Sequence, residues 1–202
     1  MTEATSRAAL VTGAASGLGE AIAIGLATRG WRVGVADIDA AGARRVAGAC
    51  AAAGGEGHAI VVDLLAADGA ERMVTDAIGA FATLDALVNN AGYGTGEAFL
   101  AMTAATWDRT LGLNLRAMAL AMAAAGRHMA QRRRGRIVNV TSPASRMGLP
   151  NYAAYAASKA GVDSLTRSGA VALAPYDVAV NSVAPGMMDT PMQRTTELTA
   201  TS

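Results

Sequence analysis

The chain has 202 residues and a mass of 20.3 kDa; 52% of it is hydrophobic, 16% is charged, and its net charge is +1. That supplies a sizeable core, excludes disorder as a description of the whole chain, and excludes a global attraction to nucleic acid or acidic lipid. No run of 18 apolar residues and no charged-then-apolar leader occurs, so neither a membrane span nor a signal peptide fits, and a cytoplasmic protein is expected. The lone Cys50 cannot close an internal disulfide, and no Cys/His cluster has metal-ligand spacing.

In chain order, short β-like runs alternate with longer helix-like ones. Residues 8–12 (AALVT) are an apolar run that ends on glycine; 17–29 read as a helix with Ile22, Leu26 and small residues on one face. Residues 32–37 (RVGVAD) predict a second strand, 40–53 an alanine-rich helix closed by Gly54-Gly55, and 58–63 (HAIVVD) a third strand. Residues 68–81 are helical in period, and 84–89 (LDALVN) predict a fourth strand. After a loop with Gly92, Gly94 and Gly96, residues 106–133 read as one long helix. A fifth strand (136–141), a helix (152–173) and a sixth strand (178–184) follow, and the tail 194–202 is polar and threonine-rich. Strand–helix alternation with nearly continuous apolar strands predicts an α/β fold: a doubly wound parallel sheet covered on both faces. No internal repeat or linker divides the chain, so a single domain over 1–202 is expected.

Four motifs carry chemistry. Thr12-Gly13-Ala14-Ala15-Ser16-Gly17-Leu18-Gly19 lies between the first strand and the first helix. Glycines there let backbone approach a ligand, and the helix N-terminus suits a pyrophosphate, although an ordinary glycine-rich turn reads the same way. Asp37 closes the second strand 18 residues past Gly19, where an acid accepts hydrogen bonds from an adenosine ribose. The same carboxylate repels a 2′-phosphate. No basic residue lies in the glycine loop or directly after Asp37, where Ile38 stands, so NAD is preferred over NADP. Asn89-Asn90-Ala91-Gly92 ends the fourth strand, where side-chain amides can hold backbone beside a cofactor, or merely form a turn.

The strongest motif is Tyr155-Ala156-Ala157-Ser158-Lys159. Residues four apart share a helix face, so the ammonium lies near the phenol and is expected to lower its pKa, making Tyr155 an acid/base near neutrality. Lys159 is the only lysine among 17 Lys+Arg, as a site demanding a compact ammonium would require. A solvated surface pair is the alternative.

Together, in this order and at these separations, the motifs resemble the short-chain dehydrogenase/reductase family, with its TGxxxGxG, NNAG, YxxxK and PG elements, from about Ala8 to Met192. The resemblance implies a Rossmann-like fold and an NAD(P)-dependent oxidoreductase acting on CH–OH groups. It implies that Gly13, Ser16, Gly17, Leu18, Gly19, Asp37 and Ile38 bind the cofactor. It assigns Asp63 and Leu64 to the adenine, and Asn90, Ala91 and Gly92 to the adenosine ribose and nicotinamide side. Pro185, Gly186 and Thr190 fall to the nicotinamide end. It further implies a catalytic tetrad of Asn114, Ser142, Tyr155 and Lys159: Tyr155 donates the proton, Ser142 holds the carbonyl oxygen, Lys159 holds the nicotinamide ribose, and Asn114 positions a water that links Lys159 to solvent.

The substrate is expected to be a small-molecule alcohol or ketone, such as a polyol, a hydroxyacyl group or a steroid-like alcohol, lined by Ala144, Ser145, Tyr152, Met187, Met188 and the loop 93–96. A non-catalytic dinucleotide-binding sensor on the same fold is the rival reading. A homodimer or homotetramer through helices 106–133 and 152–173 is expected, with Ala117, Ala121 and Ala125 allowing close approach. No metal, nucleic-acid or membrane partner is expected. His128 with Arg132, Arg133, Arg134 and Arg136 reads as a solvated cluster that complements a helix dipole. The stripe Met118, Met122 and Met129 reads as core or subunit interface, and Cys50 as a small helix residue.

Family members usually run to about 250 residues, whereas this sequence stops a dozen residues after Thr190. Six strands are therefore expected, with the seventh strand and the C-terminal lid missing, and a cropped sequence is the favoured explanation.

Overall fold

A computed structural model of the chain describes residues 7–186 and 188. Its strands are β1 (Ala8–Thr12), β2 (Arg32–Asp37), β3 (Glu56–Val61), β4 (Ala86–Asn89), β5 (Gly135–Val140) and β6 (Val178–Val183). They form one sheet of order β3-β2-β1-β4-β5-β6, and every pairing is parallel. The helices are α1 (Gly17–Ala27), α2 (Ala40–Ala52), α3 (Gly69–Phe81), α4 (Ala104–Leu111), α5 (Met118–Gln131) and α6 (Ala153–Leu173). The chain winds from β1 outward to β3, then returns to β4 beside β1 and winds the other way. That reversal opens a crevice at the carboxyl ends of β1 and β4, the place where such sheets bind ligands.

Alternate strand residues point to opposite faces, and both faces are filled. On one, α1 and α2 bury Ala23, Ala27, Val46 and Cys50 against Val11, Val33, Val35 and Val88. On the other, α3, α5 and α6 bury Met73, Met118, Met122, Met129 and Val162 against Leu10, Leu87 and Ile137. Each fully buried Val or Leu contributes about 1.5–3 kcal/mol relative to exposure. The methionine stripe is thus core. Ala117, Ala121 and Ala125 are buried within the chain as well and are not available for a subunit contact. The alanine content has its use here: a Cβ on Gly57 of β3 would overlap the backbone of Ala47, so α2 rides directly on the strand.

A buried polar chain crosses the second core. Asn89 Nδ2 donates to Asn139 Oδ1 (2.9 Å), Asn139 Nδ2 donates to Thr166 Oγ1 (2.9 Å), and Thr166 Oγ1 donates to the Val162 carbonyl (2.8 Å). Asn89 and Asn139 stand opposite each other in the β4–β5 register.

Two expectations are corrected. The single helix over 106–133 is two helices joined by a π-helical segment, Gly112–Ala117. The arginines of the basic cluster stay exposed, as expected, but they pair with Asp85 and with backbone carbonyls rather than with the end of a helix. Arg132 and Arg134 both donate to Asp85, which is 5% exposed (3.1 and 2.7 Å), and Arg133 donates to the Pro175 carbonyl (3.0 Å). His128 Nε2 accepts from the Leu84 N–H (3.2 Å), so the ring works as a neutral acceptor. Among the described residues, no helix is long and apolar enough to cross a membrane, and no group of three metal-ligating side chains converges.

Candidate active site

The glycine loop leaves β1 and turns directly into α1. Gly13 and Gly17 hold positive φ (63° and 55°), a conformation that favours glycine. The loop is pinned from β4: Asn90 Nδ2 donates to the carbonyls of Thr12 (2.9 Å) and Gly13 (3.1 Å). In return Thr12 Oγ1 accepts from the N–H groups of Asn90 and Ala91, both at 2.9 Å. Thr12 belongs to the glycine motif by sequence, but its hydroxyl becomes a hub only through this contact.

Ser16 makes no capping hydrogen bond at the start of α1, whereas Asp39 caps α2 through the N–H groups of Ala41 and Gly42. The first-turn N–H groups of Gly17, Leu18 and Gly19 therefore form a donor set without a side-chain cap, suited to a diphosphate. Asp37 stands at the end of β2 as expected. Its Oδ2 accepts from the Ala15 N–H (2.9 Å) and its Oδ1 from the Asp39 N–H (3.0 Å). Ile38 beside it is 68% exposed. Asp63 and Leu64 follow β3, and Asp63 Oδ1 accepts from the Leu65 N–H (2.8 Å). Donors at a helix start with a carboxylate at the neighbouring strand end fit the diphosphate and ribose of a dinucleotide.

Tyr155 and Lys159 lie one turn apart on α6. Lys159 is 3% exposed, and its Nζ donates to the Val140 carbonyl at the end of β5 (2.8 Å). Burial lowers the Lys159 pKa to about 8, against the opposing pull of Asp163. Ser142 follows β5, and its Oγ accepts from the Ala144 N–H (3.2 Å). The expected acidification of the phenol is corrected: burial pushes the Tyr155 pKa up, and the opposing influence is a hydrogen bond with Ser142. The ammonium points at the β5 carbonyl and sits 5.6 Å from the ring centroid.

Asn114 lies in the π-helical segment and is completely buried. Its Oδ1 accepts from the Tyr93 N–H (2.7 Å), and its Nδ2 donates to the Tyr93 carbonyl (2.8 Å) and to Ser158 Oγ (3.0 Å). Ser158 passes the link on by donating to the Tyr155 carbonyl (2.7 Å). A π turn adds a residue to the helical ladder and re-aims one side chain. Here it carries the Asn114 amide onto the 92–96 loop. A Cβ on Gly92 would lie 3.5 Å from Asn114 Oδ1 and 3.7 Å from Lys159 Nζ, and one on Gly94 would touch the Tyr155 ring at 3.0 Å. The structure thus brings Asn114, Ser142, Tyr155, Lys159 and Gly92 to one end of the sheet.

Pro185 and Gly186 follow β6; Met187 and Thr190 lie outside the described residues. A cavity of about 420 Å³ opens beside Ser142; of the expected lining it includes Ser145 but not Ala144, Tyr152, Met188 or the loop 93–96. It also includes Arg146 and Asp163, two charged residues absent from the sequence-based lining. Ser158 was missed as well: its spacing marks it as helical, but only the fold shows what it meets.

Comparison with known proteins agrees with this geometry. The short chain dehydrogenase family model matches residues 7–200. A 3-oxoacyl-[acyl-carrier-protein] reductase of Synechocystis sp. is 38% identical, over 95% of this chain and 78% of its own. The cis-4-hydroxycyclohexanecarboxylate dehydrogenase of Sinomonas cyclohexanicum is 42% identical, over 92% and 75%. Among solved structures, a short-chain alcohol dehydrogenase from Sinorhizobium meliloti superposes with a TM-score of 0.89 at 34% identity, covering 92% of this chain and 74% of that one. An NAD+-bound xylitol dehydrogenase superposes at 0.86 with 31% identity, covering 91% and 72%. The chain belongs to the short-chain dehydrogenase family. It is an oxidoreductase of alcohol and ketone substrates, of a family that works with NAD(P).

Proposed function

We propose that the chain interconverts a secondary alcohol and a ketone with NAD rather than NADP, using Tyr155 as the acid–base group. The observation that carries this reading is the convergence of Tyr155, Ser142 and buried Lys159 at the carboxyl end of β5. The nicotinamide, when bound, supplies or takes up the hydride.

In the reducing direction Tyr155 starts protonated, because burial holds its pKa up. Its phenol gives the proton to the substrate oxygen, and Ser142 donates a hydrogen bond to the same oxygen as charge builds there. With a pKa of about 8, Lys159 is mostly cationic at neutral pH and stabilises the phenolate that proton transfer leaves behind. Asn114 holds the 92–96 loop against the ring and positions a water linking Lys159 to solvent. Asp37 accepts from the adenosine ribose hydroxyls and disfavours a 2′-phosphate.

A polyol or a hydroxyacyl group suits a cavity whose lining includes Ser142, Ser145, Arg146 and Asp163. The similar proteins include both a xylitol dehydrogenase and a 3-oxoacyl-[acyl-carrier-protein] reductase. The same reading expects a homodimer or homotetramer through α4–α5 and α6, supported by the exposed apolar side chains of Phe99 and Leu100 before α4 and Val171 on α6.

Tyr155→Phe is expected to lower kcat/KM by at least about a hundredfold while the Kd for NAD stays nearly unchanged, measured by NAD reduction over a polyol and hydroxyacyl panel and by calorimetry. Full activity in that variant overturns the acid–base assignment. NAD binding by the unmodified chain without turnover on any substrate favours a sensor instead.

A further inference from the structure

Arg45 reaches the glycine loop from α2, and nothing about its place in the sequence marks it. Its Nη2 donates to the Ala15 carbonyl (2.8 Å) and to Glu20 Oε2 (2.8 Å), and its Nη1 donates to Glu20 Oε1 (2.6 Å). Glu20 lies on the first turn of α1, so the pair ties α1 to α2 above the loop. Asp37 grips the other end of the same residue, accepting from the Ala15 N–H. A carboxylate and a guanidinium are thereby held on opposite ends of Ala15. Asp39 is near enough to add its own favourable charge to Arg45.

We infer that Arg45 is a specificity-determining residue for the adenosine end of the cofactor: a phosphate-binding group held in check by Glu20, so that two carboxylates, Asp37 and Glu20, enforce the preference for NAD. This deepens the NAD reading proposed above and rests on it. The chemistry is direct. Discrimination against a ribose 2′-phosphate needs negative charge near the 2′-position and a cation already engaged. Here Asp37 supplies the charge at the strand end, while Glu20, with Asp39 nearby, engages the guanidinium. Glu20 occupies both faces of the Arg45 fork that would otherwise take a phosphate bidentately. Removing Asp37 alone lifts the repulsion but leaves the guanidinium paired. Removing Glu20 as well frees it without moving it, because the Ala15 carbonyl still holds Nη2.

The test is a calorimetric titration with NAD and with NADP, repeated with adenosine 5′-monophosphate and adenosine 2′,5′-bisphosphate to isolate the adenosine end. Asp37→Ser is expected to narrow the NAD:NADP preference. The double variant Asp37→Ser with Glu20→Gln should tighten NADP by a further fivefold or so, an effect the size of one exposed charge pair. Adding Arg45→Met to that double variant should remove the further gain, while Arg45→Lys should keep part of it. The Arg45-dependent gain should shrink with added salt, as expected of exposed charges. Equal NADP affinity with and without the Arg45→Met change overturns the inference, whatever the NAD affinity. If the unmodified chain binds neither dinucleotide, the cofactor reading itself fails; if it binds NAD and only the Arg45 series is flat, that reading stands and this inference alone falls. Circular dichroism of each variant separates loss of the pair from loss of the fold.

Discussion

A methyl group on Gly19 would overlap the carbonyl oxygen of Gly13 and lie 2.6 Å from the Asn90 side-chain nitrogen. Gly25, two turns along the same helix, has only the end of Arg29 within 4 Å. The two glycines share one helix and differ in what surrounds them. Gly19→Ala is expected to destabilise the chain by about 1–3 kcal/mol through overpacking and to weaken NAD binding at least tenfold. Gly25→Ala should be neutral or stabilising by up to about 1 kcal/mol. Urea unfolding and calorimetry of both variants check this. Tyr155, Lys159 and Asp37 were legible because their chemistry depends on short-range spacing along one helix or at one strand end. Arg45 and Ser158 were not, because a helix face can be read from sequence but the group it meets across the fold cannot.

The existence of the six strands and most helices follows from periodicity and punctuation, but the bounds of the third strand and the π-helical segment do not. The third strand was expected over 58–63 and runs Glu56–Val61 instead, because its register is set by β2, which pairs Arg32 with Glu56 and Val33 with Gly57. Glu56 and Gly57 carry no apolar signal of their own. The π-helical segment had no local signature either: Gly112–Ala117 reads as ordinary helix, and the extra residue is accommodated by Asn114 reaching Tyr93 and Ser158.

Between elements, the junction at Asp85 invites a direct test. Asp85 accepts from the Ala8 N–H of β1 (2.9 Å) and from two arginines at the α5–β5 turn. Burial pushes its pKa up, but the Ala8 N–H, Arg134 and Arg132 together outweigh that, and the net shift is downward. A carboxyl with a lowered folded pKa contributes stability above its unfolded value and loses it as pH falls through the folded one. Asp85→Asn should therefore cost about 1–3 kcal/mol at pH 7, and the gap to the unmodified chain in urea unfolding should close as pH drops below the ordinary carboxylate range. A gap constant down to pH 3 would mean the charge contributes nothing.

At the scale of the molecule, the groups proposed for catalysis and those proposed to hold the adenosine sit on different halves of one sheet. Gly13–Gly19, Asp37 and Arg45 belong to β1, β2, α1 and α2, whose shared core is made largely of alanine and valine. Ser142, Tyr155 and Lys159 belong to β5 and α6, over the core that holds the methionines, leucines and the Asn89–Asn139–Thr166 chain. The chain of amides has a consequence in time. Opening any one of β4, β5 or α6 strands buried polar groups in the other two, so the three must open together. Their backbone amides should exchange with deuterium as one slow unit, near the global unfolding limit, while those of α1 and α2 exchange earlier by local opening. Thr166→Val, which removes one partner from the chain, should split that unit and release α6 first, read by peptide-resolved exchange. The reacting groups would then ride on the longest-lived part of the protein, and the cofactor's adenosine would be received by the part that opens most often.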